Sequence, residues 1–158
     1  MRAKILFLLF LSLSPLVLSS QTVSTSDYGG SSSIYFVALR IYLRNLNSED
    51  KTLFFRRDDR ITAGLPDVLE GYELKFLSMR DIRRKLKTKK SELILYKIFP
   101  MEFEDGFFRV GIIQYSVTRE KRKVLCLFYE GGIHVYFSYD CEKKVLSVVD
   151  DKIKMFGI

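Results

Sequence analysis

The chain has no tryptophan, one histidine and two cysteines in 158 residues. A single histidine rules out multi-histidine zinc centres and leaves few other metal sites open. No Gly-x-Ser-x-Gly elbow, Walker A loop or EF-hand spacing occurs, so three common catalytic and ion-binding designs are excluded. Asn45 and Asn47 are each followed by residues that do not complete an Asn-x-Ser/Thr acceptor. No segment after the N-terminus has 18 uninterrupted apolar residues, so the rest of the chain is expected to be soluble. No internal repeat is visible.

What is present begins at the N-terminus. Arg2 and Lys4 precede the apolar run Ile5–Leu13, then Pro15 and Leu16-Val17-Leu18-Ser19-Ser20. Charge, a short apolar core and small residues in that order read as a secretory signal peptide over 1–20. The run is too short to span a bilayer as a helix. Cleavage is expected near Ser19 or Ser20, leaving a secreted or periplasmic protein. No cysteine stands near residue 20 to take a lipid anchor. Residues 21–33 are polar and rich in Ser and Gly, and read as a flexible arm. Within it Gln21-Thr22-Val23-Ser24-Thr25 resembles the Gln-x-Val-x-Gly loop of cystatin-type inhibitors. Thr25 stands in place of the glycine and the segment precedes the fold, so no inhibitory activity is carried over.

Residues 34–158 are expected to form a single α+β domain. Phe36, Leu39, Leu43 and Leu46 recur at helical spacing, with Ile34, Val37 and Ile41 beside them, and predict a helix over Ser33–Leu46. Thr52–Phe55 and Tyr72–Leu77 suit short strands, with irregular chain between them. Ser78 with Asp81 three residues on predicts a capped second helix, and Met79, Ile82 and Leu86 give it a narrow apolar stripe. From residue 92 the pattern is strands and turns. Asp105-Gly106 predicts a hairpin that sets Phe103 against Phe108, Met101 against Val110, Phe99 against Ile112 and Glu102 against Arg109. The apolar parity then shifts to Ile113, Tyr115 and Val117, which suggests a β-bulge near Gly111–Ile113. Gly131-Gly132 predicts another hairpin, with Phe128 against Val135, Cys126 against Phe137 and Val124 against Tyr139. Strands at Val145–Val149 and Lys152–Phe156 follow. The expected architecture is an N-terminal helix packed on an antiparallel meander of four to six strands, with a second, short basic helix. This element order resembles the cystatin-like and NTF2-like folds over residues 33–156, and the likeness is one of topology only, so it implies no activity.

Candidate chemistry is sparse. His134 is placed on a strand beside Tyr136 and Ser138, as a surface sheet histidine near Tyr129. Cys126 is placed on the core face, and Cys141 in an exposed turn. The expected register separates the two thiols too far for a bridge. Asp58-Asp59 and Asp150-Asp151 are sequence neighbours whose carboxylates diverge in extended chain. Leu125, Leu127, Tyr129 and Tyr136 lie opposite Cys126, so the sheet is apolar on both faces. It then needs a second cover: the 48–77 segment, a twin subunit or a ligand.

The charge pattern offers the leading hypothesis. Net charge is +7 at pH 7. Arg80, Arg83, Arg84, Lys87, Lys89 and Lys90 crowd the second helix, and Arg119, Lys121, Arg122 and Lys123 form another basic cluster. Together on one side of the fold they would attract anionic lipid, lipopolysaccharide or an acidic glycan. Nucleic acid ranks below these for an exported chain. The expected function is a non-enzymatic binding module with no cofactor. The alternatives are a protein-interaction module, homodimers included, or a small-ligand module using the apolar sheet face, and a small hydrolase.

Overall fold

The computed structural model describes residues 32–87, 91–120 and 125–157. The leader-like segment, almost all of the Ser/Gly arm, and Lys89, Lys90, Lys121, Arg122 and Lys123 lie outside them. The described chain is an α+β structure. Helix α1 (Ser32–Asn45) is followed by strands β1 (Thr52–Arg56), β2 (Val68–Leu69) and β3 (Tyr72–Leu77), then helix α2 (Met79–Lys85). Strands β4 (Glu92–Ile98), β5 (Glu102–Glu104), β6 (Phe107–Arg119), β7 (Leu125–Asp140), β8 (Val145–Val148) and β9 (Lys154–Phe156) complete it. All nine strands join one sheet in the order β2-β3-β1-β4-β6-β7-β8, with β5 beside β6 and β9 beside β7. β1 runs parallel to both β3 and β4, and every other pairing is antiparallel. The sheet is therefore mixed and larger than the expected meander, because the 48–77 segment enters it as β1–β3 instead of covering it.

Alternation along the strands gives the sheet two apolar faces. Val110 and Ile112 of β6, Phe55 of β1 and Ile133, Val135 and Phe137 of β7 are buried with Ala38, Leu39 and Tyr42 of α1. Phe54, Leu93, Leu95 and Val117 point the other way and pack with Ile82 and Leu86 of α2. This accounts for the parity shift on β6 without a bulge at Gly111–Ile113. The strand presents one face to α1 near its start and the opposite face to α2 near its end. Of the expected α1 stripe, Ile34, Val37, Leu39 and Leu43 are buried; Ala38 and Tyr42 join them, while Phe36, Ile41 and Leu46 are only partly buried. A helix of seven residues is too short to persist alone. Burial of Ile82 and Leu86, at about 2 kcal/mol each, holds α2 in place. Its start is fixed by the expected capping box. The Ser78 hydroxyl accepts from the Asp81 N–H, and the Asp81 carboxylate accepts from the Ser78 N–H.

The Asp105-Gly106 hairpin forms as expected, with Glu102 opposite Arg109 and Phe103 opposite Phe108. Asp105 and Gly106 both have positive φ, as a two-residue type I′ turn needs. Upstream the expected register slips by one. Ile98, not Phe99, faces Ile112. The Phe99 N–H still donates to the Gly111 carbonyl at 2.8 Å, but Pro100 has no N–H for the next ladder bond, and the Met101 N–H donates to the Tyr35 hydroxyl at 3.1 Å.

The expected hairpin at Gly131-Gly132 does not form. Both glycines sit inside β7, which pairs with β6 from Leu125 opposite Arg119 to Phe137 opposite Phe108. The turn between these strands lies at the charged connection after Arg119. The glycines serve close packing of backbones. A Cβ on Gly132 would stand 2.3 Å from the Ile112 carbonyl oxygen, and one on Gly131 2.5 Å from that of Phe156. The register shift falls between Gln114 and Tyr115, leaving Glu130 of β7 as the extra residue. Gly132→Ala is expected to cost about 3 kcal/mol in urea unfolding, because backbone must move. Gly71→Ala meets no atom within 4 Å and should cost only its positive-φ strain, about 1 kcal/mol.

Candidate functional site

Among the described residues, one member of the second basic cluster, Arg119, meets the basic helix. The Arg119 guanidinium, at the end of β6, donates to the carbonyl oxygens of Leu86 at 3.2 Å and Lys87 at 3.1 Å. These carbonyls close the C-terminal end of α2, where a cation is also favoured by the helix dipole. Arg119 is thus half-buried and structural. It fastens the entry to the β6–β7 connection against the basic helix. Arg80, Arg83 and Lys87 are exposed and form no ion pair among the described residues. Arg84 pairs with Asp81 at 2.9 Å. The Ser78 hydroxyl bond, with Arg84 and Arg80 nearby, holds the Asp81 carboxyl below its usual range.

Lys85 of the basic helix lies 4.2 Å from the centroid of the Phe54 ring. Strand parity adds two cations that the sequence did not assign to this side. Lys97 follows Leu93 and Leu95 on the α2 face of β4 and stands 3.8 Å from the Phe99 centroid. Lys154 of β9 lies 6.0 Å from that of Tyr136. Arg109 shares the face but is neutralised by Glu102, its expected partner, and by Glu104 at 2.7 Å. The alternation Leu93-x-Leu95-x-Lys97 was the signal in the sequence for Lys97.

A row of rings crosses the uncovered part of the same face. Tyr115 meets Tyr129 edge-on, Tyr129 stacks parallel on Phe156, and Phe156 meets His134, which meets Tyr136. Tyr129 and Tyr136 share a face because the extra residue Glu130 reverses parity between them. His134 is surrounded by Phe156, Tyr136 and Gly111 and has no carboxylate hydrogen bond among the described residues. Burial, and then the Arg109 charge, push its pKa below 6.5.

Cys126 keeps the α1 face that Phe128 also occupies, but it lies outside the buried core. Because the hairpin is absent it faces Thr118 instead of Phe137, is half-exposed, and its thiol donates to the Glu120 carboxylate at 3.4 Å. That bond raises its pKa. Cys141 is exposed, and both thiols are free. They stand near opposite ends of β7, roughly 50 Å apart at 3.3 Å per residue. Asp59 pairs with Arg57, while Asp150 and Asp151 lie in a 3-10 turn. No three metal-binding side chains converge among the described residues. On the other side of the sheet a cleft of about 750 Å³ opens between the end of α1 and β9, and includes Glu49, Tyr96, Gln114 and Glu130 in its lining.

No protein-family model, curated protein or solved structure matches this chain. Its function is argued from these surfaces alone.

Two measurements test the site as built. Arg119→Ala should lower stability by about 1–2 kcal/mol, through two lost bonds to carbonyls, and speed amide exchange in α2 before the rest of the sheet. His134 binds its proton less readily folded than unfolded. It therefore carries no penalty above pH 6.5, and stability falls as pH drops below that value towards its folded pKa. Denaturation midpoints at neutral and mildly acid pH should differ less in His134→Gln than in the parent.

Proposed function

We propose that this chain is an exported, non-enzymatic binding module that docks the α2 side of its sheet on an anionic surface or polymer. Export rests on the leader-like residues 1–20. The observation that carries the binding reading is the bond from Arg119 to the end of α2. It fastens Arg119, the described member of the second basic cluster, to the helix that carries Arg80, Arg83, Arg84 and Lys87. Lys85, Lys97 and Lys154 extend positive charge across the same side. Positive charge gathered on one side of a net-basic molecule favours polyanions. Lipid headgroups, lipopolysaccharide and acidic glycans present that chemistry to an exported protein.

Several observations favour binding over catalysis. Cys126 is bonded to an acid that keeps it protonated, and His134 is hemmed by rings at another part of β7. A small hydrolase is the weaker reading, and its carboxylate pair would be Glu49 and Glu130 of the cleft beside α1. The cystatin-like and NTF2-like topology is not needed for either reading. The parallel pairing of β1 with β3 and β4 departs from the meander on which that likeness was based.

The test is cosedimentation of the chain with anionic and neutral vesicles, and binding to a soluble acidic glycan, each across a salt series. Binding to at least one anionic probe should fall steeply with salt, with none to neutral vesicles. Reversing Arg83 and Lys87 to Glu should weaken it roughly thirtyfold or more, at about 1 kcal/mol per basic residue near a charged surface. Salt-insensitive binding, or none to any anionic probe, overturns the reading.

A further inference from the structure

Leu125–Tyr129 is a stretch of β7 with a strand on one side only, and Gly157 lies against the backbone of Glu130 just beyond it. β6 pairs along its inner edge. On the outer edge β9 ends at the pair of Gly132 with Phe156, and β8 is confined to Phe137–Asp140. No described strand lies beside Leu125–Tyr129. The side chains here are the reverse of what an open edge usually carries. Leu127 is 52% exposed, Phe128 56% and Tyr129 54%. Leu127 and Tyr129 stand on the α2 face and Phe128 on the α1 face.

These features specify what covers the edge. Apolar groups project on both faces, so a lipid surface or a ligand lying on one face would leave half of them in water. The backbone N–H and C=O groups of an edge are satisfied by an extended strand. Leu125–Tyr129 carries no charge, so two copies of a +7 molecule can meet there without like charges in contact. An edge strand is also complementary to itself when reversed. We infer that this edge pairs antiparallel with the same edge of a second copy, about a two-fold axis at Leu127. The axis stands perpendicular to the sheet, so residues of equal parity face each other and Leu127 meets its own counterpart. The end of β9 sets the limit of sliding, since the Gly157 carbonyl oxygen already lies 2.6 Å from where a Gly131 Cβ would be. The three exposed side chains offer roughly 350 Å² per copy, below the ~800 Å² per partner of a standard interface. The backbone edge with Leu125 and Cys126 adds to this area. The expected dimer is weak, as interfaces at the low end of the size range are. It would place both α2 helices on the same side of one continuous sheet. Association itself is independent of the anionic-partner reading, while any gain in avidity rests on that reading.

The experiment is sedimentation equilibrium of the whole chain over the micromolar range, without any anionic probe. A monomer–dimer equilibrium is expected. Leu127→Glu and Phe128→Glu should each weaken it by about tenfold or more, since each places like charges near the axis, with thermal midpoints close to the parent. Phe103→Glu alters a residue that is 68% exposed at the other end of the sheet, and should leave the equilibrium unchanged. Leu127→Cys, with Cys126→Ser and Cys141→Ser, should oxidise to a covalent dimer, and Phe103→Cys in that background should not. A monomer at every concentration, or equal weakening by Phe103→Glu, overturns the inference.

Discussion

The structure depends on one constraint: a single sheet with two apolar faces and two covers of unequal length. α1, with 14 residues, spans most of one face. α2, with seven, reaches only the end of the other. Everything distinctive follows from that mismatch. β6 must serve both covers, so it is long and turns Val110 and Ile112 one way and Tyr115 and Val117 the other. The part of the second face that α2 does not reach is closed by its own rings, from Tyr115 through Tyr129, Phe156 and His134 to Tyr136. Aromatic rings protect each other from water by edge and stacked contacts where no helix lies above them.

The same mismatch sorts the charge. A helix too short to bury a wide stripe can carry basic residues on most of its circumference, because only Ile82 and Leu86 need to be apolar. The core under α2 is small enough for Lys85 to lie over Phe54 at its margin. On the opposite side α1 is tied by Arg40 and Arg44 to Glu70 of the β2–β3 turn. Arginines there are engaged in holding the hairpin, whereas those on α2 are largely free to face solvent. The two sides of one sheet thus differ in how their cations are used.

Local signals in the sequence were legible where chemistry and geometry agree within a few residues. Ser78 and Asp81 gave the helix start, and Asp105-Gly106 the hairpin with its Glu102–Arg109 pair. The failures came where one residue type serves two purposes. Gly131-Gly132 looks like a turn by composition, but the glycines answer to the backbones of Ile112 and Phe156, which are distant in sequence. The β-bulge was inferred on the wrong strand, because a parity shift arises equally from an extra residue or from a change of cover. Parallel pairing of β1 carries no local signature, so β1 and β3 could be found as strands but not placed. The tie of Arg119 to the end of α2 had no local signal, because it joins residues 32 apart.

The hydrogen bond from Cys126 to Glu120 bears on redox behaviour. A half-exposed free thiol is normally a weak point, because the thiolate is what attacks disulfides and peroxides. The neighbouring carboxylate opposes that ionisation through both the hydrogen bond and its charge. The thiol is thereby kept in its unreactive form at neutral pH. A cysteine beside an apolar, unpaired edge can then persist under oxidising conditions without forming mixed disulfides that would jam the edge. Cys141, just past the far end of the same strand, is the more exposed of the two thiols.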